Sequence, residues 1–322
     1  MRDLAGNWDR FFLEITNRCN FECIFCPSGV SKRRRGDMPT DLALGLIDAL
    51  QELGFGGAIL FHVLGEPLLH PAVFEIVDHA AHAGMRPVLF TNGGALTREM
   101  TEGILTSRCG ELVISMQTIN RGSYEMLRKT PFGWDAYLGR IQRALAIAND
   151  PGKNRNGCAF RVSIGVKKPD PEHPQDLYFL EYQSPQQIRQ CVAEVFSKVK
   201  GTDIATALSQ CEAEGLLSAP SVKVGRFLSL SVKPMSNWRR MWREERAASG
   251  QCPFFGKELA VLSNGAVTFC HVDYDGRTRV GSVKESSLGE IIGAPGFRRT
   301  VTEFVSGARV AKGCEYCNGV NS

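Results

Sequence analysis

The 322-residue sequence lacks the features of a membrane or secreted protein. No apolar run approaches the roughly 20 residues that a membrane-spanning helix needs. Met1 is not followed by the hydrophobic core of a signal peptide. We therefore expect a cytoplasmic protein without a membrane partner. Disulfides are not expected either, because the 11 cysteines belong to a long chain without a secretion signal.

Strong charge and repetition are also missing from the sequence. The formal net charge is only +4, which permits an anionic partner but does not require one. The basic run at residues 32–35 has no interleaved aromatic residues for base stacking. We interpret this run as a solvated loop and not as a nucleic-acid site. A hydrophobic content of 43% is typical of a globular protein that buries a real core.

Apolar segments that end in polar or glycine residues alternate with helical segments along most of the chain. The predicted strands cover residues 11–16, 58–64, 87–90, 111–117, 159–166 and 222–232. This α/β pattern predicts a partial (β/α)6 barrel of the TIM-like kind, with its chemistry at the carboxyl ends of the strands.

Two parts of the chain depart from this alternation. A proline-rich and helical segment at 169–221 is expected near the substrate side of the barrel, which we place at 1–235. Within it, Ser184 and Gln187 form a capping box that predicts the start of a helix. Residues 236–322 are predicted to form a small α+β domain, with a charged helix at 239–248 and a β-hairpin turn at Asn264-Gly265.

Three cysteines with the spacing C-x3-C-x2-C follow the first predicted strand: Cys19, Cys23 and Cys26. Three thiolates leave one iron of a 4Fe–4S cluster without a protein ligand. A zinc knuckle is the alternative, but zinc sites usually take four protein ligands and no fourth lies nearby. The motif resembles the signature of the radical S-adenosylmethionine (SAM) superfamily. The aromatic Phe25 before the third cysteine is suited to line an adenine pocket.

The resemblance implies a cofactor set and several contacts. It implies a SAM-binding 4Fe–4S cluster, an electron from a flavodoxin- or ferredoxin-type donor, and a 5′-deoxyadenosyl radical that removes hydrogen from the substrate. Gly65 and Glu66 match the family's glycine–glutamate motif, which meets the amino group of SAM; Leu64 replaces the usual first glycine. Asn92 and Ser115 match polar positions that face the SAM ribose or the substrate.

The catalytic residues are harder to assign from the sequence. Gln117 ends the fourth predicted strand at a position where many relatives carry aspartate, so we expect it to face the substrate. An amide does not act as a base. Lys167, just after the fifth predicted strand, is the candidate for that role.

A second cysteine group follows the barrel: Cys252, Cys270, Cys314 and Cys317. Four thiolates saturate every iron of an auxiliary 4Fe–4S cluster, and they also suit a structural zinc site. The group resembles the SPASM or twitch appendage of radical SAM enzymes, with room for one cluster. Its spacing is similar to that of the aminocyclitol dehydrogenases of aminoglycoside biosynthesis. The four isolated cysteines are expected to be small buried hydrophobic residues.

These features favour an oxidoreductase of natural-product biosynthesis that acts on a sugar, aminocyclitol or nucleoside-like molecule. The closed auxiliary cluster would take an electron from the substrate radical and so complete an alcohol oxidation. Redox-neutral epimerisation or carbon–carbon bond formation is the alternative for a similar substrate. Modification of a ribosomal peptide is less favoured, since the first strand begins near residue 11 and leaves no space for a leader-binding domain. A non-enzymatic metal-binding protein would not cleave SAM.

Overall fold

The computed structural model describes residues 8–166, 184–213, 221–234, 238, 252, 254–307 and 311–317. Its strands are β1 (Arg10–Leu13), β2 (Glu22–Cys23), β3 (Ala58–Leu60), β4 (Arg86–Thr91), β5 (Glu111–Met116), β6 (Arg128–Lys129), β7 (Ala159–Val166), β8 (Val222–Lys223), β9 (Leu228–Pro234), β10 (Glu258–Val261), β11 (Ala266–Thr268) and β12 (Gly281–Ser282). Its helices are α1 (Thr40–Glu52), α2 (Val73–His82), α3 (Arg98–Thr106), α4 (Arg121–Leu127), α5 (Trp134–Ala148), α6 (Pro185–Phe196), α7 (Ile204–Ala213), α8 (Leu288–Gly293) and α9 (Pro295–Val305).

The first of two compact units comprises Met1–Cys19, Pro27–Pro87 and Trp238–Ser322. Its strands follow the order β12-β11-β10-β1-β3. β10 and β3 flank β1 and both run parallel to it, whereas β11 and β12 form an antiparallel extension. The apolar side chains of β1 are buried, as expected for a strand that is paired on both sides. A strand near the end of the chain therefore shares a sheet with the first strand.

The second unit comprises Asn20–Cys26 and Val88–Asn237. Its strands follow the order β4-β5-β7-β9-β8, with β4, β5, β7 and β9 parallel and β8 antiparallel at the edge. A separate two-stranded ribbon joins β2 to β6. The crossover helices begin at recognisable caps. Ser184 and Gln187 form the capping box of α6, with a proline at the first helical position.

Most predicted elements are present. The barrel strands β1, β3, β4, β5, β7 and β9 alternate with helices along the chain, which confirms the mixed α/β fold class. The predicted strand at 222–232 is wrong, because a turn at Val224 and Gly225 divides it into β8 and β9. The charged helix predicted at 239–248 lies outside the described residues. None of the described helices combines the length and the apolar character needed to cross a lipid bilayer.

Candidate active site

The cysteine loop begins in the first unit and continues into the second. Cys19 ends the first stretch of the first unit, and Cys23 and Cys26 belong to the second. Within the second unit, the amide of Cys26 donates to the carbonyl of Cys23 at 3.1 Å. Phe25 is only 6% exposed and packs against Leu127, with Cys23 and Cys26 beside it. The ring of Phe25 is therefore held by its neighbours, and its contact with adenine stays a prediction.

Arg128 brings a buried positive charge to this loop, which the sequence pattern did not indicate. It lies opposite Cys23 in the β2–β6 ribbon, and its Nη1 is 3.7 Å from the Cys23 Sγ. Its Nη2 donates to the carbonyl of Ser115 at 2.5 Å, and the guanidinium lies 5.3 Å from the centre of the Phe21 ring. A positive charge therefore lies beside a cysteine that we expect to bind the SAM-binding cluster.

Gly65 and Glu66 form a tight turn in the first unit. A Cβ added at Gly65 would lie 2.4 Å from the carbonyl oxygen of Thr16, and the residue has φ = 84°. Only glycine fits such a close approach in this conformation. The Glu66 amide donates to the carbonyl of Arg18 at 2.8 Å, so the turn lies against the residue that precedes Cys19. The Glu66 side chain is buried and accepts a hydrogen bond from the Leu68 amide at 3.3 Å.

Three further predicted residues lie at the carboxyl ends of strands in the second unit. Asn92 follows β4, and its Nδ2 donates to Asn20 Oδ1 at 2.8 Å. Ser115 lies in β5 and is partly exposed, and Gln117 follows β5 directly. Their contacts with SAM or substrate stay predictions. Lys167 lies outside the described residues.

A buried ion pair between Glu14 and Arg33 organises the first unit, and it corrects our interpretation of residues 32–35. The side chains are 0% and 5% exposed, so Arg33 is not on a solvated surface. Its two terminal nitrogens donate to the Glu14 oxygens at 2.5 and 2.7 Å. Glu14 also accepts from the amides of Leu64 and Ser263, both at 2.8 Å. The Arg33 Nε donates to the carbonyl of Tyr274 at 2.6 Å.

The four tail cysteines all belong to the first unit. Burial raises the pKa of the Cys270 thiol, and the nearby Glu258 and Cys314 raise it further. Burial likewise raises the pKa of Cys314, with added contributions from Cys317 and Cys252. Cys314 is thus within electrostatic reach of each of the other three tail cysteines. Among the described residues, no three histidine, cysteine or acidic side chains converge on the position of a single metal ion.

The loop after Cys270 is rigidly built. Asp273 is fully buried, and its carboxylate accepts hydrogen bonds from the amides of Gly276, Arg277 and Thr278. These hydrogen bonds show that Asp273 shapes the turn that follows Cys270. Buried Glu258 pairs with His271, next to Cys270, at 2.5 Å.

The donor sets fit iron–sulfur clusters. Both groups consist of thiols, and thiolates are the ligands that these clusters take. Cys19, Cys23 and Cys26 would hold the SAM-binding cluster, and the tail cysteines would hold the auxiliary one. The isolated cysteines are buried in the core, as expected: Cys109, Cys158, Cys191 and Cys211.

Comparison with known protein families agrees with both groups. Residues 13–155 match the radical SAM superfamily, and residues 252–318 match SPASM, an iron–sulfur cluster-binding domain. A radical SAM domain binds SAM and a 4Fe–4S cluster, and a SPASM domain binds auxiliary iron–sulfur clusters. The expected cofactors are therefore confirmed.

Individual relatives have diverse activities. The chain is 34% identical over 130 residues to the AdoMet-dependent heme synthase of Methanosarcina barkeri, covering 40% of this chain and 37% of that protein. It is 38% identical over 90 residues to the S-adenosyl-L-methionine-dependent 2-deoxy-scyllo-inosamine dehydrogenase of Niallia circulans. That match covers 27% of this chain and 36% of that protein. These matches therefore span little more than a third of each relative.

Solved structures match over nearly the whole chain, those of BtrN among them. The crystal structure of BtrN in complex with AdoMet and 2-DOIA has a TM-score of 0.53 and 17% identity, and the match covers 97% of this chain and 93% of that one. At this level of identity the likeness shows the fold.

Proposed function

We propose that the protein oxidises an alcohol group of a small polar molecule, because residues 13–155 match the radical SAM superfamily and residues 252–318 match the SPASM domain. The proposed substrates are a sugar, an aminocyclitol or a nucleoside-like compound of natural-product biosynthesis. The observation that carries the proposal is the tail cysteine group, in which Cys314 interacts with Cys252, Cys270 and Cys317. Four thiolates leave no iron open for substrate, so electron transfer is the simplest role of that cluster.

The cofactors supply the radical chemistry, namely a 5′-deoxyadenosyl radical from SAM and an acceptor for one electron. The protein supplies binding and orientation. In our proposal, the turn at Gly65 and Glu66 holds the SAM amino group, while Asn92 and Ser115 hold the ribose or the substrate. Arg128 keeps a positive charge at the Cys23 thiolate. Gln117, at the end of β5, orients the substrate by hydrogen bonding.

The relatives support this choice of substrate class. A 2-deoxy-scyllo-inosamine dehydrogenase is among the curated proteins that the chain resembles. We place the barrel at 1–235 and the auxiliary-cluster domain at 236–322. A flavodoxin- or ferredoxin-type protein is the proposed electron donor.

Anaerobic reconstitution followed by a substrate panel tests the proposal. We expect about eight iron atoms per chain and reductive cleavage of SAM to 5′-deoxyadenosine. The panel contains 2-deoxy-scyllo-inosamine, related aminocyclitols, hexoses and nucleosides. Product analysis by mass spectrometry should show the loss of two hydrogen atoms, with one SAM consumed for each product.

Other outcomes would assign a different reaction. A product of unchanged mass, with deuterium taken up from solvent, would indicate epimerisation in place of oxidation. A coupled product would indicate carbon–carbon bond formation. Turnover of a precursor peptide, with no turnover of the small molecules, would indicate peptide modification. Zinc binding without 5′-deoxyadenosine would contradict the enzyme assignment altogether.

A further inference from the structure

Three neighbouring strands of the second unit separate apolar from polar residues. The side chains that alternate on one face are buried and apolar: Leu112, Ile114 and Met116 of β5, Phe160, Val162, Ile164 and Val166 of β7, and Leu228, Leu230 and Val232 of β9. This face has the composition of one that packs against helices. The opposite face is polar, and the strand register determines which of its residues are neighbours.

We call this opposite side the polar face and define it by three rows across the strands. In the first row, Glu111 and Val113 of β5 lie beside Arg161, whose register partner in β9 is Ser229. The second row consists of the register partners Ser115, Ser163 and Ser231. The third row lies at the carboxyl ends of the strands, where Gly165 is paired with Lys233 and has Gln117 on its other side.

The Gln117 side chain packs over the centre of the third row. Gly165 has no side chain, and a Cβ added there would meet Gln117 Cγ at 3.3 Å. Lys233 lies one strand further on, so roughly 9.5 Å of sheet separates the Gln117 and Lys233 backbones. An amide and an amine therefore occupy neighbouring positions at the carboxyl ends of these strands. The second row places serine hydroxyls directly below.

Lys233 is solvent-exposed, but its pKa is lower than that of an ordinary lysine. Partial burial of its ammonium group lowers its pKa, and the positive charge of Arg161 on the same face lowers it further. Arg161 is paired with Glu111 at 3.0 Å. Lys223 of β8 is the other charged side chain on this face among the described strands. A lowered pKa increases the fraction of Lys233 that is neutral and able to accept a proton.

From this arrangement we propose that the polar face binds the substrate and that Lys233 is the base that takes the proton of the oxidised hydroxyl group. The inference rests on the proposed function. The O–H bond breaks and an N–H bond forms at Lys233 Nζ, while the carbon–oxygen bond becomes a carbonyl. The hydrogen atom on carbon passes to the SAM-derived radical, and the remaining electron passes to the auxiliary cluster. A hydroxyl group thus becomes a carbonyl group with all atoms and electrons accounted for.

Two substitutions of Lys233 distinguish a residue that accepts a proton from one that only binds the substrate through its positive charge. Lys233→Met removes the amine, whereas Lys233→Arg keeps a positive charge that does not act as a base near neutral pH. Both should lower ketone formation by about 10²-fold or more, the usual contribution of a general base. Both should still transfer deuterium from labelled 2-deoxy-scyllo-inosamine, or the best substrate of the panel, to 5′-deoxyadenosine. Lys198→Met, an exposed lysine that follows α6 in the same unit and lies outside the polar face, is the matched control and should retain full activity.

The outcomes distinguish this inference from the proposed function. If the wild-type enzyme forms no ketone from any member of the panel, the proposed function fails. If the wild type forms ketone and Lys233→Met or Lys233→Arg forms it equally fast, Lys233 is not the base. A measurement without substrate adds an independent test, in which competitive labelling with acetic anhydride follows the reactivity of each lysine with pH. Lys233 should reach half-maximal reactivity at a lower pH than the exposed lysines of the same chain, and an equal pH would overturn the assignment.

Discussion

Replacing Arg33 with methionine should destabilise the first unit more than a substitution at an exposed loop position does. The guanidinium is 5% exposed and its partner Glu14 is 0% exposed, so the change leaves a carboxylate buried without its counter-charge. Removing one partner of a buried pair costs about 3–5 kcal/mol. Because the amides of Leu64 and Ser263 still donate to Glu14, we expect the lower end of that range, about 3 kcal/mol.

Thermal unfolding of the reconstituted enzyme under anaerobic conditions measures this loss. With an unfolding entropy of about 2.1 cal/mol/K per residue, a chain of 322 residues loses roughly 1.5 °C in Tm for each kcal/mol, so Arg33→Met should lower the Tm by roughly 4 °C or more. Arg34→Met is the matched control, because Arg34 lies next in the chain and is exposed. Exposed substitutions of this kind usually change stability by less than about 0.5 kcal/mol.

A double-mutant cycle tests whether the buried charge is the cause. Glu14→Gln removes the charge that Arg33 compensates, so Glu14→Gln with Arg33→Met should cost less than the sum of the single changes. The cycle compares variants of one chain, so its result does not depend on the absolute stability of the holoenzyme. Equal Tm values for Arg33→Met and Arg34→Met would refute the reasoning, as would strictly additive losses in the cycle.

Three further predictions concern the cofactor sites. Gly65→Ala places a Cβ against a backbone carbonyl at 2.4 Å, so SAM binding measured by equilibrium dialysis should weaken at least tenfold, and unchanged affinity would contradict the tight turn. Arg128→Met removes a positive charge 3.7 Å from Cys23 Sγ and so disfavours the more negative reduced cluster. The reduction potential of the SAM-binding cluster should therefore fall. Electron paramagnetic resonance measures it, with the auxiliary cluster as internal reference, and a rise or no change would reject the charge argument. Cys314→Ala should lower iron by about four atoms per chain while 5′-deoxyadenosine still forms, and retained ketone formation would exclude an electron-accepting role.

Much of the fold follows from local sequence signals. The capping box at Ser184 and Gln187 gives the start of α6, and the apolar run at 159–166 coincides with β7. Such signals depend on neighbouring residues alone, which is why a sequence pattern detects them. The division of 222–232 into β8 and β9 was missed because an apolar alternation continues across the turn at Gly225.

The pairing of β10 with β1 has no local signal, since the two strands are far apart in the chain. The ion pair between Glu14 and Arg33 has no local signal either, because a separation of 19 positions lies outside any helix or strand periodicity. A sign of the pair was nevertheless present in the sequence, because Glu14 interrupts the apolar run that forms β1. A buried carboxylate requires a partner. The sequence did not indicate that Arg33, alone among the basic residues at 32–35, would be that partner.

In the candidate site, too, some residues are recognised from local sequence motifs and others only from the structure. The cysteine spacings are short motifs that a sequence pattern detects, and the Gly65–Glu66 pair follows from the resemblance to the radical SAM superfamily; their roles as ligands stay predictions. Arg128 could not be predicted, because its position beside Cys23 arises from the two-residue pairing of β2 with β6. The polar face depends on the register of three strands, which only the structure supplies.

The Glu14 carboxylate also changes how the C-terminal segment should be viewed. β3, β1 and β10 run parallel, so their carboxyl ends meet at one edge of the sheet. One oxygen of Glu14 accepts from Leu64, beside the turn at Gly65 and Glu66, and the other accepts from Ser263, in the hairpin that leads to Cys270. A single buried charge thus fixes the segment that we assign to SAM and the segment that we assign to the auxiliary cluster. The tail is not an independent module joined by a linker, because its first strand and its first turn complete the sheet and the ion pair that support the turn at Gly65 and Glu66.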